Sequence, residues 1–148
     1  MTTVQQVFDA AIHMMDEQAE TSGATQTTDT QEYKFRTLSI LNAILPSLYP
    51  YSDTYDSTGV GRPVCPALAI PVKDGVADHA NPDFTQVVPL DDTLALGALP
   101  YALAAHLLAS ENQDLSVWFL SRYNQVFADL RNKIPGTFEP ISAPYGLF

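Results

Sequence analysis

Six prolines, at Pro50, Pro63, Pro66, Pro71, Pro82 and Pro89, fall between Tyr49 and Leu90, with Gly59, Gly61 and Gly75 among them. Each proline lacks an amide donor and its ring collides with the preceding helical turn, so helix is excluded over most of that stretch. The chain therefore divides into N-terminal helices over 1–49, a proline-rich excursion over 50–90, a helical hairpin over 91–134 and a non-helical tail over 135–148. A chain of 148 residues fits one domain, able to bury roughly two thirds of its unfolded surface. The expected fold is mainly α: a small bundle of about four helices whose excursion can hold a short β-hairpin.

The helices are read from apolar spacing. Val4, Val7, Phe8, Ala11, Ile12 and Met15 recur at intervals of three and four, which predicts a first helix to about Ala19 capped by Thr2 or Thr3. Residues 20–31 are rich in Thr, Ser and Gln and contain Gly23, and read as a flexible connection. Phe35, Leu38, Leu41, Leu45 and Leu48 predict a second helix, with Asp29 or Thr30 as cap and a kink or end near Pro46. Asp91 or Asp92 caps the next, through Leu94, Leu96, Leu99, Leu103, His106 and Leu107, with a kink or restart at Pro100. Asn112 then caps the clearest amphipathic pattern in the chain: Leu115, Trp118, Phe119, Arg122, Tyr123, Val126, Phe127 and Leu130. The short loop between these last two predicts antiparallel packing, anchored by Trp118, Phe119 and Tyr123.

In the excursion, 64–72 and 84–88 are apolar and favour β structure, although the prolines limit any ladder. Such a stiffened segment suits contact with a partner better than filling a core. The tail, with Pro135, Gly136, Pro140 and Pro144, still carries Phe138, Ile141, Tyr145, Leu147 and Phe148, and must fold back or dock on another chain. Tyr51, Tyr55, Val64, Phe84, Phe138, Tyr145 and Phe148 are accordingly the expected interface residues.

Charged residues make up 16% of the chain, against roughly 25% in typical soluble domains. Neutral polar residues, or surface buried by another subunit, must replace them. The net charge is −10 and uneven: six acids and no Lys or Arg precede Lys34, and seven more acids without a base run from Asp74 to Asp114. Phosphate-backbone binding needs clustered cations, so sequence-specific nucleic-acid binding is not expected and nearby DNA would be repelled. One cysteine, Cys65, leaves no intrachain disulfide or cysteine-based zinc cluster. No secretory signal or membrane span is visible, and a reducing, cytoplasmic setting is expected.

Chemical motifs are sparse. His13, His79 and His106 do not lie at metal-ligand spacing with one another or with Cys65, and His106 reads as a satisfied interior or interface residue. Residues 52–59 place Asp53 and Asp56 near Gly59 but lack the alternating acids and final glutamate of an EF-hand. Gly59-Val60-Gly61 lacks the third glycine and following helix of a dinucleotide site. Cys65 between Val64 and Pro66 reads as a buried thiol. No catalytic, cofactor-binding or metal-binding residue is assigned.

Three stretches are similar to a known class: the opening 4–17; the run 33–55, with Thr37-Leu-Ser-Ile-Leu-Asn42 and Leu48-Tyr-Pro-Tyr-Ser-Asp-Thr-Tyr55; and Leu90-Asp-Asp92 followed by 99–108 and Phe119-Leu-Ser-Arg-Tyr123. They resemble small prophage structural proteins of Gram-positive bacteria, and within these the head–tail connector (adaptor) family. Ala102 stands where that pattern has glycine, a departure that stiffens the helix. The resemblance implies a helical, non-enzymatic virion subunit that forms a homo-oligomeric ring and meets portal and tail or neck proteins, in the host cytoplasm during assembly and then in the virion. The alternatives are a soluble acidic binding protein, such as a DNA mimic, and an enzyme using Cys65, His106 and an acid.

Overall fold

The computed structural model describes residues 1–52 and 65–133 and is mainly helical, as expected. Helix α1 (Val4–Met15) buries the six apolar residues of its repeat. It ends four residues earlier than the spacing predicts, because Asp16 turns into the left-handed region at φ 59°. Its first turn illustrates how a helix start is satisfied from outside. The Val4 and Gln5 amides donate to the carbonyls of Gln86 and Phe84, each at 2.9 Å. The Gln6 amide donates to the Thr3 hydroxyl, while the Gln6 side chain accepts from the Thr3 amide in a capping box.

The connection over 20–31 is held against α1 rather than left flexible. Asp9 accepts from Gln5 and from the Thr25 hydroxyl, both at 2.6 Å, and the His13 ring contacts the Gly23 carbonyl at 3.2 Å. Gly23 supplies the turn at φ 69°. Thr30 sits at the cap position of α2 (Gln31–Leu48), yet its hydroxyl donates to the Thr25 carbonyl at 2.6 Å, tying the loop instead of capping the helix. Helix α2 passes through Pro46 but ends two residues later in a 3-10 turn, Tyr49–Tyr51.

The described part of the excursion fills core as well as surface. Leu68, Phe84, Val88 and Leu90 are buried in the same cluster as α1, α2 and the later helices. Two side-chain amides staple it there. Asn42 of α2 donates to the Leu68 carbonyl at 3.0 Å and accepts from its amide at 2.8 Å. Gln86 does the same for Ala69, at 2.8 and 2.6 Å. The β-hairpin is shorter than the β-favouring stretches and starts at the last residue of the first: β1 (Val72–Lys73) pairs antiparallel with β2 (Val76–Ala77) around Asp74 and Gly75, both at positive φ. Residues 84–88 form no strand beyond one bridge, Thr3 to Val87, since their carbonyls serve α1.

Asp91 caps α3 (Asp92–Gly97) and exchanges hydrogen bonds with the buried Ser52: its amide donates to the hydroxyl at 2.8 Å, and the hydroxyl donates back to its carboxylate at 2.9 Å. The chain breaks step at Ala98 and restarts as α4 (Leu99–Leu108), with Pro100 in its second position rather than its first. Helix α4 is buried nearly all round and packs against α1, α2 and α5 (Gln113–Lys133), which explains why it shows no polar face. The α4–α5 pair is antiparallel. Ser116 donates to the Ala105 carbonyl at 2.7 Å near the loop, and at the far end a Cβ on Gly97 would lie 3.0 Å from Leu130 Cδ1.

Candidate functional site

Only one edge of the α5 stripe is buried. Phe119 is in the core, and Tyr123, Phe127 and Leu130 pack against it partly buried. Trp118, expected as an anchor, is 53% exposed, with Leu115 at 41%, Val117 at 62% and Leu120 at 47%. Successive helical residues are about 100° apart, so Phe119 turned onto α4 carries Trp118 to the flank and Val117 to the outside. Among the described residues the indole meets Phe119 edge-on at 5.0 Å. Residues 115–121 contain no charge, so beyond Asp114 the first part of α5 presents an apolar surface without the usual charged cover.

Tyr51 is 41% exposed and meets Phe127 edge-on at 5.2 Å, while Phe127 stacks on Tyr123 at 6.0 Å. It is thus partly used within the chain. Phe84 is not available to a partner: it is 6% exposed, its ring 5.1 Å from Phe8. A short apolar run between prolines reads alike whether it faces a partner or its own core, and here the need to cover the start of α1 draws it inward. Tyr55, Val64, Phe138, Tyr145 and Phe148 lie outside the described residues, as do Asp53, Asp56, Gly59 and Gly61.

A second surface is acidic. Asp16, Glu17, Glu20 and Asp29 line one concavity with Gln18 and Ala19. Burial, then the negative charges of Glu111, Asp16 and Asp29, push the Glu17 carboxyl above its ordinary value. The native carboxyl therefore holds its proton more readily than the unfolded one. It costs stability at neutral pH, and that cost disappears as pH falls below the unfolded value of about 4.3. Glu17→Gln should raise the stability slightly at pH 7, by less than about 1 kcal/mol after solvent screening, with the gain vanishing near pH 3. Paired thermal melts at the two pH values check it. Nearby, Tyr33 donates to Glu111, and burial followed by that bond raises the phenol strongly.

The third feature is a groove of about 550 Å³ lined by Phe35, Arg36, Ser39, Ile40, His79 and His106. It lies where the first half of α2, the end of α4 and the loop after β2 meet. His106, read from spacing as interior or interface, is exposed on its lip because α4 turns Ala105 and Leu107 into the core on either side of it. Arg36 donates to the Leu107 carbonyl at 3.0 Å and lies 5.9 Å over the Tyr33 ring, while its Nε is buried with no hydrogen-bond partner. No carboxylate among the described residues pairs with it. The members come from three separated segments, so no local motif announces the groove.

Cys65 is half-buried, and burial pushes its thiol up, opposite to what activates a nucleophile. Among the described residues no three His, Cys, Asp or Glu side chains are placed to hold a metal ion, and no helix is long and apolar enough to cross a membrane. No protein-family model matches the chain, no curated protein matches it, and no solved structure matches its fold.

Proposed function

We propose that this chain is a non-enzymatic, self-assembling virion subunit, a ring-forming head–tail connector that sits between portal and tail and works through its surfaces. The observation that carries self-assembly is the exposed apolar surface of α5 over 115–121, a run without charge. Surface of this kind is stable when a further subunit covers it. The low charge and the resemblance of the three stretches described above support the connector role, and the acid excess suits a wall past which DNA slides without sticking.

Sedimentation of the full chain tests the reading: it should run as an oligomer, or form one when a portal protein is added. Trp118→Gln with Leu120→Gln should dissociate it while leaving the thermal midpoint nearly unchanged. A chain that stays monomeric at high concentration and does not bind portal overturns the proposal. The carboxylate concavity around Glu17 favours a second reading, a soluble acidic protein that occupies a nucleic-acid-binding partner. Competition with DNA for such a partner, lost on neutralising Asp16, Glu20 and Asp29, would select it.

A further inference from the structure

We infer that the groove between α2 and α4 receives the tail of a second copy of this chain, with Glu139 seated against Arg36. The inference rests on the self-assembly reading above and names its contact. The groove combines a cation with apolar walls in a chain of net charge −10. Arg36 brings a guanidinium whose Nε is buried and unpartnered, His79, His106 and Ser39 add polar groups around it, and Phe35 and Ile40 supply apolar sides. Its complement is a single carboxylate flanked by apolar side chains. Residues 134–148 contain that pattern in Phe138-Glu139-Pro140-Ile141, where Glu139 is the only charged side chain of the fifteen. Pro140 also lowers the entropy cost of ordering the segment on a neighbour.

Chain length favours a second copy over the same one. His106 follows Ala105, whose carbonyl accepts from Ser116, so the groove lies level with the start of α5. From Ser116 to Lys133, where α5 ends, the helix rises roughly 26 Å. Glu139 is six residues beyond Lys133, and a fully extended chain of that length spans at most about 22 Å. Reaching its own groove would therefore take all six residues, Pro135 and Gly136 among them, fully extended with the Glu139 side chain outstretched, whereas a neighbour's groove sets no such demand. A contact between two different surfaces repeats from copy to copy and closes into a ring or runs on as a filament.

The test measures self-association of the full chain by sedimentation, together with binding of a labelled peptide spanning residues 134–148. Arg36→Glu and Glu139→Arg should each weaken self-association by about tenfold or more, and the double variant should recover it. Arg36 also supports the Leu107 carbonyl, so His106→Glu, at an exposed position, serves as a second groove variant and should weaken peptide binding while the thermal midpoint stays near that of the unaltered chain. Self-association unchanged by all of these variants overturns the tail–groove contact and leaves assembly through α5 standing. Peptide binding without any self-association supports a tail site but overturns the ring. Absence of both overturns the two together.

Discussion

Phe8→Ala should destabilise the fold by about 3–5 kcal/mol, seen as a lower urea midpoint with an unchanged slope. Phe8 is fully buried, and its ring packs on Phe84 across the junction between α1 and the excursion. Truncation removes the apolar contact and leaves a cavity where two elements distant in sequence are joined. The same junction supplies acceptors for the Val4 and Gln5 amides, so loosening it weakens both the start of α1 and the seat of residues 84–88. Phe84→Ala should be costly too, and the double variant should cost less than the sum of the two, because the ring pair is lost only once. Trp118→Gln is the control. It removes a larger ring, but from a half-exposed site, and should cost less than about 1 kcal/mol. Equal losses from Phe8 and Trp118 would contradict the burial described for α5.

Leu103→Ala should cost about 2–5 kcal/mol and lower the thermal midpoint by roughly 5–20 °C. Leu103 is fully buried at the middle of α4, the helix that α1, α2 and α5 all touch. A cavity there has little freedom to collapse, since the neighbours on each side are themselves held by others. Leu103→Met, which nearly conserves volume, should cost less than about 1.5 kcal/mol. A small loss from the alanine variant would mean that α4 is not the central element.

Much of the helical layout is legible in the sequence because it depends on local chemistry: the Thr3 and Asp91 caps, the Asn112 start of α5 and the restart beside Pro100 all follow from residues within a turn of one another. The β-hairpin and the linker are less legible. Asp74-Gly75 adopts its turn between β-favouring stretches rather than within them, and the Thr-rich connection is ordered by Asp9 and His13, which no local rule connects to it.

The sequence by itself determined which segments are helical and that an amphipathic stripe runs from Leu115 to Leu130. Only the tertiary structure decided which edge of that stripe is buried, sending Phe119 inward and Trp118 outward, because apolar spacing defines an arc and the neighbouring helix selects part of it. It likewise turned Phe84 into core and assembled Arg36, His79 and His106 into one groove, since both results depend on contacts between residues far apart in the chain.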